Sequence, residues 1–306
     1  MPDYSILELN TDFREFCNDE YKDYVVYSIL SVREKNLERK KILEDMASQE
    51  YGHYMFWSRF MGDHGIKAKV GKIYILAILL IRKIFGLVFT LKLLESHESR
   101  TIQRYKSILN NISEEYRYDL ERLIRDEEEH ERYLLDQIDE PSIKYVGFIA
   151  LGLADAIIEV MGVNAGFLGV TNITIVAGVA GLIVGFAASI SMAVASYLQA
   201  RTYTLREVSP IFSALTTGLS YIGCVVGLTL PYFIFREMIY AFASSLAICI
   251  LLTSVFTFYT SIINERNFVK ELAQSILLIL GTALATFFFG DLLGRALNIR
   301  EGLFSR

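Results

Sequence analysis

Two Glu-x-x-His tetrads stand in the first 140 residues, Glu50-Tyr51-Gly52-His53 and Glu127-Glu128-Glu129-His130. Residues i and i+3 share one face of a helix, so each tetrad can set a carboxylate and an imidazole on the same cation. That donor pair suits Fe(II), Mn(II) or Zn(II) better than Cu(I), which selects sulfur ligands. More glutamates precede each tetrad: Glu20 before the first, Glu95 and Glu98 before the second. Glu50 to Glu127 and His53 to His130 are each 77 residues apart, and Glu20 to Glu98 and Tyr27 to Tyr105 are each 78 apart. One tetrad in a charged helix is weak evidence, because most such matches are solvated faces. Two copies in register, each with its own glutamate and tyrosine, point to a duplicated helix hairpin built around metal.

These residues need helices to hold them. Residues 1–140 show no strand alternation and are rich in Glu, Lys, Leu and Arg, which predicts helices over about 13–36, 37–61, 89–111 and 114–137. Gly62-Asp63-His64-Gly65 has the chemistry of a turn, and Ser113 before Glu114 and Glu115 that of a helix start. Antiparallel packing of the two hairpins gives each of two ions a Glu, a His and a bridging carboxylate. Glu95 is predicted one turn before Glu98, as an extra ligand. Tyr27 and Tyr105 read as core residues, His64 as a turn residue, and His97 as exposed. The run 73–94 is apolar but broken by Arg82, Lys83 and Lys92. It reads as an amphipathic helix, on a membrane surface or packed on a partner, and as the crossover between hairpins.

After Pro141 the composition changes. Between 145 and 200 only Asp155 and Glu159 are charged, and 208–235, 238–264 and 272–290 are free of charge. The first stretch is long enough for two crossings, with a polar break expected around 164–172, so five transmembrane helices are predicted. No basic start followed by an apolar stretch marks a signal peptide, which places the first domain in the cytosol. Arg201, Arg206, Arg266 and Lys270 then fall in cytosolic loops, whereas Arg295, Arg300 and Arg306 fall on the outer side, against the usual bias. Asp155 and Glu159 are four apart and share a helix face, where they can line a cation path and exchange protons. Gly178, Ala180, Gly181, Gly185 and Ala187 permit close helix packing, including across a dimer interface. Met192 offers a thioether that can touch a transition metal. Cys17, Cys224 and Cys249 lack metal or redox spacing and read as buried thiols. A net charge of −5 without a basic stripe gives nucleic-acid binding no support.

At Glu20, Glu50, His53, Glu95, Glu98, Glu127 and His130 the first 140 residues resemble the rubrerythrin branch of the ferritin-like family. The resemblance implies a di-iron centre that binds Fe(II) and can oxidise it, with Mn(II) or Zn(II) as alternatives. The paired Cys-x-x-Cys motifs of a rubredoxin domain are absent, which leaves electron delivery for peroxide reduction without a route. Residues 145–295 resemble the vacuolar iron transporter family at Gly152-Leu153-Ala154-Asp155, at Gly181-Leu182 through Ser191-Met192 to Tyr197-Leu198-Gln199-Ala200-Arg201, at Pro231-Tyr232 and at Phe289-Gly290-Asp291-Leu292-Leu293-Gly294. That resemblance implies that Asp155 and Met192 lie on the ion path. The family's second-span glutamate would fall at Val184, and Glu159 is the candidate replacement from the first span. The link between spans two and three, about 202–207, is too short for the cytosolic metal-collecting domain of the family's plant members. The amino-terminal domain takes that role in this reading.

The expectation is thus an all-α chain: a ferritin-like four-helix bundle, residues 1–140, followed by a five-helix transmembrane domain, residues 141–306. The expected function is export of Fe(II), or Mn(II), from the cytosol across a cell membrane, exchanged for protons, by a homodimer with the path on its axis. A membrane-anchored di-iron oxidase or peroxide scavenger, and a metal sensor or store, are the alternatives.

Overall fold

The computed structural model describes residues 6–61, 70–96, 98–109, 112–137, 141–202 and 208–297, without the side chains of 6–11, 98–99, 129–137 and 141–144. Among the described residues the chain is helical, with no strand, and it divides into two units at Glu140.

In the first unit α1 (Ile6–Arg33) and α2 (Leu37–Ser58) form a hairpin. Asn36 sits between them, and its side chain accepts from the backbone N–H of Glu38 and Arg39, which starts α2. A single 3-10 turn, Arg59–Met61, ends it. Then come α3 (Lys72–Phe85), α4 (Leu87–Glu95), α5 (Glu98–Leu109) and α6 (Glu114–Gln137). The apolar run 73–94 therefore contains two helices. Gly86 separates them at φ 91°, a backbone conformation that a side chain resists. The helix expected over 89–111 is also divided: α4 stops at Glu95, where Ser96 turns its hydroxyl back onto the Leu93 carbonyl at 2.7 Å. Glu95 and Glu98 thus belong to different helices and are not successive turns of one.

Side chains of α1, α2, α5 and α6 meet in one core: Phe16 and Cys17, Tyr54, Phe56 and Trp57, Ile102, Tyr105 and Ile108, and Leu120, Leu123 and Ile124. Arg104 ties α5 to α1 through Asp12 and Glu15 at 2.5 and 2.9 Å, with its guanidinium 4.5 Å from the Phe16 ring centroid. Burial of these aromatic and aliphatic groups, with the four charged faces outward, holds the ligand-bearing helices side by side.

The second unit holds α7 (Pro141–Val170), α8 (Thr174–Thr202), α9 (Pro210–Thr229), the single turn α10 (Pro231–Ile234), α11 (Met238–Ile263) and α12 (Phe268–Ala296). Five segments are long and apolar enough to cross a membrane: Tyr145–Val170, Thr174–Thr202, Pro210–Ile234, Met238–Ile263 and Phe268–Ala296. The break between the first two is shorter than the sequence suggested. Asn164 does not open a loop; it is fully buried inside α7, and its amide donates to the Leu228 carbonyl and to Ser245 Oγ at 3.5 and 3.3 Å. Neighbouring helices satisfy its polarity, so the helix runs on to Val170.

The second unit is organised around α7, which packs against α8, α9, α11 and α12. The glycines set its closest approaches. A Cβ at Gly169 would stand 2.6 Å from the Phe287 carbonyl oxygen and 2.8 Å from the Asp291 nitrogen, so α7 and α12 cross at backbone distance. The small residues of α8 serve the same purpose within the chain: Gly181 faces Thr229 and Asn164, Gly185 faces Val225, and Gly178 faces Tyr232 and Phe233.

Candidate functional site

Glu20 of α1, Glu50 and His53 of α2 and Glu127 of α6 converge inside the first unit. One ligand atom from each lies within 4.8 Å of all the others. The four residues are 5, 2, 5 and 4% exposed. His53 Nδ1 is central: 2.8 Å from Glu127 Oε1, 3.5 Å from Glu20 Oε2 and 3.6 Å from Glu50 Oε2. The i, i+3 spacing places Glu50 beside His53, as the sequence required.

The surroundings are as informative as the ligands. His53 Nε2 points outward to Asp126 Oδ2 at 3.7 Å, and Arg122 stands 3.9 Å beyond that carboxylate. An outer carboxylate of this kind fixes the tautomer and ring orientation of a metal-ligating histidine. The phenol of Tyr105, on α5, donates to Glu20 Oε1. Tyr105, expected as a core residue, is buried in the core and is also a direct partner of the cluster. Tyr27 is fully buried. Asp23, one turn after Glu20, adds a partly buried acid.

Electrostatics show the strain of gathering these acids. Burial pushes the Glu50 carboxyl well above the usual carboxylate range; Glu127 and Glu20 push it further, while His53 opposes them. Asp23 is raised for the same reasons, burial first and then Glu20 and Glu127. Burial alone would drive the His53 imidazole down, but the surrounding carboxylates of Asp126, Glu127, Glu20 and Glu50 reverse this and hold it well above its ordinary value. Burial, followed by the charges of Glu20 and Glu127, raises the Tyr105 phenol. Three buried carboxylates around one imidazole are an excess of negative charge in a site of low polarity, which a divalent cation neutralises. Three oxygens and one imidazole nitrogen also match the ligand preferences of Fe(II), Mn(II) and Zn(II). The donor set fits one such ion.

Glu95, at the end of α4, is partly buried and outside the cluster of four. The side chains of Glu98 and His130 lie outside the described residues, as do His64, His97, Arg206, Arg300 and Arg306. A cavity of about 840 Å³ reaches the cluster: Glu20, Glu50 and Glu127 line it together with Asp19, Asp23, the cations Lys22, Arg100 and Arg104, and the apolar Ile78.

In the second unit Asp155, Glu159 and Met192 share one cleft of about 560 Å³ between α7 and α8, together with Val184 and Ser191. Asp155 is exposed on the flank of α7. Glu159 is half-buried and accepts from the hydroxyl of Tyr221 on α9. Met192 is partly buried against the core that contains Met161 and Tyr221.

No family model matches the chain, and no curated protein or solved structure matches it. Fold and site define its class nonetheless. This is an all-helical protein with the character of a multi-pass membrane protein, and it carries a buried acidic and histidine cluster able to hold a metal ion.

Proposed function

We propose that the chain moves a divalent transition metal, Fe(II) or Mn(II), out of the cytosol, with the first unit collecting the ion and the second carrying it across the membrane. The observation that carries this reading is a cation-competent cluster of Glu20, Glu50, His53 and Glu127 in the same chain as five candidate spans. The cleft at Asp155, Glu159 and Met192 supports it, because carboxylates among apolar helices default to function. Val184 and Glu159 line that same cleft, which supports Glu159 as the replacement for the missing second-span acid. Protons are the counter-ion in this reading: a carboxylate oxygen accepts either a proton or a cation. Asp155 exposed on an apolar helix favours a homodimer, in which a second copy covers that acid and completes the path. In this reading the first unit is a ferritin-like bundle facing the cytosol, the second belongs with the vacuolar iron transporters, and the protein sits in a cell membrane.

A full di-iron centre would add Glu95, Glu98 and His130 to the four clustered ligands. Loaded with iron, such a centre supplies oxidation of Fe(II) by dioxygen. The phenol of Tyr105 on Glu20 is the observation that favours this second reading, a membrane-anchored oxidase.

Flux of Fe(II), Mn(II) and Zn(II) into proteoliposomes, with and without residues 1–140, tests the proposal. Transport is expected to fall in Asp155→Ala and in Glu159→Ala. Normal flux in Glu159→Ala refutes the replacement of the second-span acid. Oxygen uptake on adding Fe(II), without flux in any variant, replaces transport by the oxidase reading.

A further inference from the structure

The helix α3 is apolar on both sides. Its inner face, Ile75, Ile78 and Leu79, lies against Val26, Ile29 and Leu30 of α1. Arg82 fixes its last turn, donating to the Leu30 carbonyl at 3.2 Å and pairing with Glu34 at 2.6 Å. A helix packed on one side and wet on the other should be polar on its outer face. Here that face carries Ile73, Leu76, Leu80 and Ile84, exposed at 86, 68, 54 and 62%. At 3.6 residues per turn these four fall within a sector of about 80°. Lys72 and Lys83, both exposed, stand along one edge of the stripe, near its two ends. Past the Gly86 break the same apolar run behaves otherwise, with Leu87, Val88, Phe89 and Leu91 buried. The exposed stripe is therefore confined to α3.

We propose that this outer face docks on an anionic lipid bilayer, with the four aliphatic side chains at the acyl boundary and Lys72 and Lys83 among the lipid phosphates. The pattern is that of an interfacial helix: an apolar face edged by lysines and attracted to anionic headgroups. A second copy of the chain fits less well. Fourteen residues make a helix about 21 Å long, and a stripe about 10 Å wide gives roughly 200 Å² per partner, where a stable protein contact needs roughly 800 Å². A lipid surface has no such threshold here, because the candidate spans of the same chain hold a bilayer at high effective concentration.

The test uses the full chain carrying Leu80→Cys, spin-labelled, in vesicles of equal parts phosphatidylglycerol and phosphatidylcholine. Cys17, Cys224 and Cys249 are buried, so the label is directed to the new site. A label at Tyr118→Cys, a position 69% exposed on α6, serves as the water-facing reference. The expected result is high accessibility to oxygen and low accessibility to a nickel chelate at Leu80, and the reverse at Tyr118. Adding Lys72→Gln and Lys83→Gln should lower the docked-to-undocked ratio about 30-fold, at roughly fivefold per basic residue near an anionic surface. Nickel accessibility at Leu80 equal to that at Tyr118 overturns the proposal. So does spin–spin broadening at Leu80 that persists in detergent, which would place a second copy on that face.

Discussion

Replacing Glu50 by glutamine keeps its volume and removes its charge, so it separates two roles that pull in opposite directions. Without an ion, the buried Glu50 carboxylate is unfavourable beside Glu127 and Glu20, and glutamine relieves it. With an ion, the carboxylate is a ligand, and the neutral amide oxygen is a poorer one. The variant should therefore raise the thermal midpoint of the metal-free protein and shrink the gain on adding metal. Loss of an outer-sphere partner already costs up to about 100-fold in affinity, which is a lower bound for a direct ligand. At free Mn(II) 100 times the parent Kd, the ion adds about 2.7 kcal/mol; a 100-fold weaker variant then sits at its own Kd and gains about 0.4 kcal/mol. For a unit of this size 1 kcal/mol moves the midpoint by about 3–5 °C, so the shift on loading falls from about 10 °C to about 2 °C. The chain has a single tryptophan, Trp57, fully buried in the core of the first unit. Its emission in detergent-solubilised full-length protein therefore reports that unit alone. An undiminished Mn(II) shift in Glu50→Gln, or a lower midpoint without metal, refutes the reasoning.

The same cluster sets a pH dependence. Asp23, Glu50 and His53 all have pKa values raised by folding, so their contribution is fully present below the unfolded values and is lost as pH rises through the folded ones. The Trp57 midpoint of the metal-free protein should fall as pH rises above the ordinary carboxylate range and on through the ordinary imidazole range, less steeply in Glu50→Gln; a rising midpoint contradicts this. Asp126→Ala removes the outer partner of His53 and should weaken Mn(II) binding about 10–100-fold by equilibrium dialysis, whereas unchanged affinity means that Asp126 does not orient the ring. In the second unit, Gly169→Ala forces α7 and α12 apart at a cost of about 1–3 kcal/mol. Gly147→Ala, with open space around it, should cost little, and equal heat resistance of the two variants in detergent rules out the tight crossing.

The helices were legible wherever composition or periodicity was strong. The five apolar segments follow from charge placement and the α1–α2 hairpin from helix-forming composition, and the i, i+3 rule put Glu50 beside His53. The boundaries that went astray depend on tertiary partners. Asn164 looks like a loop residue until Leu228 and Ser245 are seen to satisfy it. The cluster's supporting residues were hidden for the same reason. Tyr105 meets Glu20 across 85 positions of sequence, a pairing that no local spacing encodes. Asp126 is adjacent to Glu127 but serves the histidine of another helix. A search for a second carboxylate flanking each ligand would have raised Asp126 as a candidate; the 78-residue repeat with Tyr27 singled out Tyr105 but could not name Glu20 as its partner.

In both units a phenol rests on a glutamate: Tyr105 on Glu20, and Tyr221 on Glu159. Each tyrosine engages one carboxylate oxygen, and the other oxygen of Glu20 lies 3.5 Å from His53 Nδ1. An acid so engaged grips its guest with one hand. In the transport reading, an acid so engaged would release an ion more readily than one with both oxygens free, and Tyr105→Phe or Tyr221→Phe would lengthen the ion's stay.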